Sequence, residues 1–421
     1  MTRGHTARAD SADQTAHTDQ TPRTDRADRT DRADRADRAV QRRARAALTY
    51  LAEPGDPALG TLLNLCDPDA VVAAIKAGQL PAAARDTDRA CATALSRALG
   101  RWRLRLPDLP PGEVIDAACT GDGPVRLACP GDPEWPEPLD ELNLARPYAL
   151  WLRGTADLGS ASGKSVAIVG SRTATGYGAH VAGELAGDLA EHGWTITSGG
   201  AYGIDAAAHR GALITGGTTI VVLACGVDQP YPAGHAALFD HAAQRGLVIS
   251  EWPPGSHPTR LRFLIRNRVI AALTLGTVLI EAGERSGALN TARHAAELGR
   301  PLMAVPGPIT SPQSAGCHRI IRTSGATLVT CTDDVEGMLG EIGARAESWE
   351  LPDGGADPSP RDDLDPDSAR VLDAFPVRAA IGPSTIARRA GVDLPTVLRC
   401  VGALAGSGLI ERADKGWRLT R

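Results

Sequence analysis

Six short apolar runs, at 166–169, 194–198, 218–223, 247–250, 277–280 and 302–305, are separated by segments each long enough for a helix. Runs of this length that stay apolar throughout suit strands buried on both faces. Repeated strand–helix alternation implies parallel strands joined by right-handed crossovers. The expected fold class is α/β, with a Rossmann-like, doubly wound and mostly parallel sheet. Such a sheet binds ligands beyond the carboxyl ends of its strands, where the strand order reverses.

The first run reads SVAIVGSR, residues 165–172, and a helical stretch Tyr177–His192 follows it. A strand, a Gly turn and a helix start form an anion cradle, because the first backbone N–H groups of a helix are unpaired. Gly170 and Ser171 would supply that turn, and Arg172 adds a planar cation suited to phosphate. Two common occupants are excluded. Gly163-Lys164-Ser165 resembles the end of a P-loop, but it precedes the strand instead of following it, and Leu158 stands where the first Gly is needed. Gly176-Tyr-Gly178 lacks the third Gly of a dinucleotide fingerprint, since Val181 is there, and no acidic residue follows the second strand in the usual place.

The second strand ends in SGGAYGID, 198–205, where Gly199, Gly200 and Gly203 would let the backbone approach a ligand. A plain Gly turn with Asp205 as a first-turn helix partner remains open. The densest basic stretch is RLRFLIRNRVIAAL, 260–273, with Arg260, Arg262, Arg266 and Arg268. On a helix Arg262 and Arg266 share a face, while Arg266 and Arg268 do not. The two flanks of Asn267 should therefore do different jobs: one meets phosphate, the other pairs internally with Glu251 or Glu281. The fifth run leads into LIEAGERSGALNTARHAAELGR, 279–300, where Glu281 is either buried against an Arg or a catalytic acid. Ser286-Gly287 again precede a helix.

The rest of the chain is organised around this centre. Residues 1–39 end in RTDRADRTDRADRADRA, whose three-residue period builds no fixed charged face on a 3.6-residue helix, and the segment reads as a disordered low-complexity tail. A nucleic-acid-binding arm is disfavoured by the alternating Asp. Residues 40–105 read as a small helical domain, 106–340 as the extended Rossmann-like domain, and 341–367 as an acidic Pro/Gly linker. Residues 368–421 carry nine Lys and Arg against four Asp and Glu, a local +5. Their order of helix, turn, helix, strand, strand resembles a winged helix-turn-helix, with Ser384 as a helix cap and Pro395 opening the second helix.

The net charge of the whole chain is −5, so nucleic-acid binding requires the cations to be focused in a patch. Eight Cys occur singly with no C-x-x-C pair, and they read as reduced core thiols of a cytoplasmic protein rather than as disulfides or metal ligands. No uncharged apolar run reaches about 18 residues and the amino terminus has no apolar signal core, so no membrane association is expected. No cofactor is called for.

Seven motifs, IVGSR…GYG, SGGAYGIDAAAH, VLACGVD..YP, GLVISEWPPG, RNRVIAAL, EAGERSGALNTARHA and AVPGPI, occur in this order between about 110 and 335. With them the chain resembles the DNA-processing protein A family, also called DprA or Smf. The resemblance extends to the flanking domains: a SAM- or helix-hairpin-helix-like helical domain and a carboxy-terminal winged helix. It implies a cytoplasmic single-stranded-DNA-binding protein, not an enzyme. Such a protein protects DNA in natural transformation or general recombination, helps load a RecA-type recombinase and forms a homodimer. It also implies a DNA-binding set of Gly170, Ser171, Arg172, Gly200, Tyr202, Arg266, Asn267, Arg268 and Ser286. Tyr202 stands where the family often has Arg, and would stack on a base. The chain reads Phe263-Leu264-Ile265 where the family often has Phe-Pro-x before Arg-Asn-Arg, and His235 replaces its usual Asn.

The rival reading is a nucleotide-processing enzyme of the phosphoribohydrolase type, with Glu281 as the acid in the same pocket. Its PGGxGTxxE signature is absent. A winged-helix transcriptional regulator is a third reading.

Overall fold

The computed structural model describes residues 23–120, 123–340, 364–376, 380–413 and 416–420. Residues 1–22 of the expected tail and 341–363 of the expected linker lie outside them. The chain divides into two compact units, Met1–Gly340 and Glu341–Arg421.

The first unit is built on nine strands: β1 (Arg126–Ala128), β2 (Leu150–Gly154), β3 (Ser165–Val169), β4 (Thr195–Ser198), β5 (Thr219–Leu223), β6 (Leu247–Ser250), β7 (Thr277–Leu279), β8 (Leu302–Ala304) and β9 (Thr327–Leu328). Their spatial order is β1-β2-β6-β5-β4-β3-β7-β8-β9. The strands from β3 to β9 are parallel to their neighbours, and β1 and β2 add an antiparallel edge. The six apolar runs of the sequence are β3 to β8. Every residue of β3 is buried. Val166 and Ile168 pack into one hydrophobic layer, and Ala167 and Val169 into the other. Helices cover both faces, which is why these strands carry no polar alternation.

The chain winds outward from β3 through β4, β5 and β6, then returns to lay β7 on the other side of β3. The order therefore reverses between β3 and β7. The helix after β3, Gly176–Glu191, packs on the layer of Val166 and Ile168, while the helix after β7, Ala288–Glu297, packs on the opposite layer. Their departure to opposite faces opens a crevice between the two strand ends.

The amino-terminal helices do not form a core of their own. Leu48, Leu51, Leu95 and Trp102 share one hydrophobic cluster with Trp151 of β2, Val248 of β6 and Phe239. Packing thus runs unbroken across the boundary expected at 105/106. The tail differs as well: one helix spans Arg23–Leu51 and takes in residues 23–39. Ala and Arg, frequent through this stretch, both favour a helix. Among the described residues no single helix is long and apolar enough to cross a membrane.

Among its described residues the second unit has three helices, Pro366–Asp373, Pro383–Ala390 and Leu394–Gly406, and a hairpin pairing Ile410–Ala413 with Gly416–Leu419. Its core gathers Val371, Ile386, Val397, Leu404 and Ile410. The first of the two expected helices is preceded by Gly382 with Pro383 in its first turn, so Ser384 is inside the helix and is not its cap. Asp393 caps the next helix through Thr396 N–H at 3.0 Å.

Candidate nucleic-acid interface

The crevice at the strand-order reversal is a cleft of about 800 Å³. It is walled by the turn after β3 (Gly170 to Thr173), the first turns of the helix Arg260–Leu273, and the segment Gly283–Ala288 after β7.

Of the expected set, Gly170, Ser171, Arg172, Arg266, Asn267 and Ser286 line this cleft. The anion cradle, however, is filled from within. Glu281, buried at the end of β7, accepts from Thr175 N–H at 2.9 Å and from the Thr175 hydroxyl at 2.6 Å. The same Thr175 caps the helix Gly176–Glu191 by accepting from Gly178 N–H at 3.1 Å. The protein's own carboxylate thus serves the helix N-terminus that sequence offered to a ligand. Ser171 N–H is likewise used, donating to Glu281 O at 2.7 Å. Among the described residues Glu281 is not paired with an Arg, as one expectation had it; its carboxylate is held by Thr175.

The Gly-rich turn after β4 serves packing. A Cβ on Gly203, where φ is +79°, would meet Ser171 O at 2.2 Å, so this glycine lets two turns touch. A Cβ on Gly199 would strike the Arg266 guanidinium. Gly200 and Tyr202 are not cleft residues. Gly200 O accepts from His235 Nδ1 at 3.0 Å, and the Tyr202 ring stands edge-on to His235 at 4.7 Å. The stacking role expected of Tyr202 has better-placed aromatic candidates: Phe263 and Tyr231 line the cleft, with ring centroids 5.6 Å apart.

The arginines sort by burial. Arg172 is exposed, and its guanidinium lies over the Phe263 ring at 4.7 Å. This contact fixes a cation at the rim without neutralising it. Arg260 and Arg285 are also exposed at the rim. None of the three has an ion-pair partner among the described residues. Arg266 lies at the floor, 4% exposed, and donates to Gly199 O at 2.8 Å and to Val222 O. Burial lowers its pKa to about 10, opposed by nearby Asp205, and it remains a cation at neutral pH. Asn267 donates to Gly287 O at 3.3 Å and so ties the helix to the far wall.

Arg268 leaves the expected set. It forms a buried bidentate pair with Glu251, at 2.6 and 2.7 Å, and donates from Nε to Ala145 O at 3.0 Å. Two residues along a helix turn the side chain through about 200°, so Arg266 and Arg268 point to opposite sides. Arg262 is also internal and bridges to Glu53 at 2.8 Å.

Arg285 was missed by the sequence reading, and Arg260 was noted without a site role. The available signal was position: Arg285 directly precedes Ser286 in the loop that leaves β7, and Arg260 follows the N-cap Thr259.

The family model described as DNA recombination-mediator protein A matches residues 126–340. DNA processing protein DprA of Mycobacterium tuberculosis is 41% identical over 391 residues, 90% of this chain and 94% of that protein. The chain belongs to the DNA-processing protein A family. Protein Smf of Escherichia coli, another relative, is 34% identical over 330 residues, 76% of this chain and 85% of its own. The X-ray structure of DprA from Streptococcus pneumoniae superposes with a TM-score of 0.52 at 31% identity, covering 64% of this chain and 91% of that one. The matched span 126–340 holds the complete nine-stranded sheet and every wall of the cleft.

Proposed function

We propose that this chain is a single-stranded-DNA-binding recombination mediator, and that the strand runs through the cleft at the β3/β7 reversal. The observation that carries the reading is the convergence of Arg172, Arg260 and Arg285, from three separate segments, as exposed and unpaired cations around one cleft. Arg266 adds positive charge beneath them, and Ser171, Asn267 and Ser286 offer hydrogen-bonding groups between them. Phe263 and Tyr231 supply rings for base contact, and every base has a π-face to offer them. Sequence preference is weak in such a site, because phosphate contacts position a strand without reading it.

In this reading the protein protects single strands and helps load a RecA-type recombinase, acting as a homodimer. It performs no catalysis: Glu281, the acid required by the phosphoribohydrolase alternative, is occupied in holding Thr175. The carboxy-terminal unit acts as an auxiliary winged helix. Its helix Leu394–Gly406 exposes Leu394 and Leu398, with Arg399 as its only cation.

The test is a salt titration of the whole chain with labelled oligo(dT) and with a duplex of equal length. Binding to the single strand weakens with salt, with a log–log slope of about −0.7 per phosphate neutralised. Binding that is absent, or indifferent to salt, overturns the reading.

A further inference from the structure

A second concentration of positive charge lies outside the cleft. Between Lys76 and Arg105 the chain carries seven Lys and Arg against two acids, Asp86 and Asp88, in a protein whose net charge is −5. The helix Arg89–Arg103 holds no acidic residue at all. Its inner face buries Leu95, Ala98, Leu99 and Trp102. Its outer face carries Arg89, Arg97 and Arg101, all exposed, with only small residues such as Thr93, Ser96 and Gly100 between them.

Nothing among the described residues explains this face. Arg89 and Arg97 have no ion-pair partner among the described residues. Arg101 is 3.7 Å from Asp56 with 63% of its side chain exposed. Arg103 is different, because its guanidinium packs against Gly78 at the carboxyl end of the helix Pro68–Ala77, where a cation is favoured. Arg97 and Arg101, at i and i+4, repel each other and destabilise the helix. Asp88 already satisfies the first amides by accepting from Ala90 and Cys91 N–H at 2.9 Å each, so the face acts through side chains. Four residues of helix advance about 6 Å, comparable to the separation of successive phosphates in an extended strand.

The face is also joined to the cleft. Arg105, just past the helix, pairs with Glu53 at 3.1 Å. The same carboxylate holds Arg262 at 2.8 Å, and Arg262 is two residues from Arg260 on the cleft wall. Glu53 thus anchors the carboxyl end of the basic helix to the segment that forms the cleft.

We propose that single-stranded DNA leaving the cleft past Arg260 continues along Arg101, Arg97 and Arg89, which form a second phosphate-binding track. This rests on the single-strand reading of the cleft. The track makes affinity depend on strand length.

The experiment compares the whole chain with an Arg89→Gln/Arg97→Gln variant. Fluorescence anisotropy follows binding to a labelled oligo(dT) just filling the cleft, to one several times longer, and to a duplex of the longer length. Circular dichroism checks that the helix persists. The variant is expected to bind the long single strand about tenfold more weakly, with the salt slope reduced by about 1.4, and the short one as before. An Arg89→Lys/Arg97→Lys variant keeps the slope, because the charge is retained. An unchanged slope on the long strand, or a loss confined to the duplex, overturns the proposal. Failure of the unaltered chain to bind the short strand strikes the cleft reading instead, and the long strand still reads the helix by itself.

Discussion

The rim and the floor of the cleft use the same residue type for opposite purposes. At the rim, Arg172, Arg260 and Arg285 are exposed and have no ion-pair partner among the described residues, and Arg172 lies over the face of Phe263. Beneath them, Arg266 binds the carbonyls that close β4 and β5, while on the opposite side of the same helix, away from the cleft, Arg268 is locked to Glu251. An exposed guanidinium keeps its charge available to a polyanion, at the expense of salt screening. A buried one has traded solvent for fixed acceptors, and removing it leaves those acceptors bare. Substitutions of the buried arginines should therefore appear as lost stability, and substitutions at the rim as lost binding.

The largest effect is expected at Arg268. Arg268→Ala leaves Glu251, 3% exposed, as a buried carboxylate without its partner. The cost is about 3–5 kcal/mol, read as a lower denaturation midpoint. If the midpoint stays in place while oligo(dT) binding disappears, Arg268 belongs to the rim group and the division fails.

Beneath the floor lies His209, fully buried, with Nδ1 2.7 Å from the Thr219 hydroxyl and no partner for Nε2. Burial, reinforced by the charges of His235 and Arg266, pushes its pKa from 6.5 down to about 3. Above pH 6.5 the ring is neutral in both the folded and the unfolded chain and gives no pH dependence. Between pH 6.5 and pH 3 the unfolded chain takes up a proton that the folded chain refuses, so stability falls with pH. At pH 5 the loss is about 2 kcal/mol. Denaturation at pH 7 and pH 5 should give a smaller difference for His209→Gln than for the unaltered chain. Equal differences would mean that the floor is open enough to hydrate the ring.

The same contrast explains what could be read from the sequence. Strands β3 to β8 were legible because two-sided burial demands an unbroken apolar run. β1 and β9 were not, since three and two residues at a sheet edge carry no periodic signal. Arg172 was legible because it follows directly on a buried strand. Helical spacing also indicated that Arg266 and Arg268 diverge, with Glu251 among the internal partners considered. It did not say which of the two pairs with the acid, because that depends on where β6 delivers Glu251. The packing of Tyr202 was not legible for a similar reason: its neighbour His235 comes from a segment more than thirty residues on. Glu281 stays open in the sequence between a buried partner of an Arg and a catalytic acid, because Thr175, which it holds, lies 106 residues earlier.

The smallest effect should come from one rim cation taken alone, and it tests the comparison most sharply. Arg285 is exposed, borders the cleft and has no ion-pair partner among the described residues. Arg285→Ala should therefore leave the denaturation midpoint unchanged to within about 0.5 kcal/mol. The salt slope for oligo(dT) should fall by about 0.7, the contribution of a single phosphate contact. Arg172→Ala should lower the slope equally and also free the Phe263 ring, so its loss of affinity should exceed that of Arg285→Ala at high salt, where the charge contribution is screened and the ring contribution persists. If the two losses converge as salt rises, Phe263 does no more than hold Arg172 in place. If they diverge, the ring itself meets the bases, and the rim is a stacking surface as well as a ring of charge.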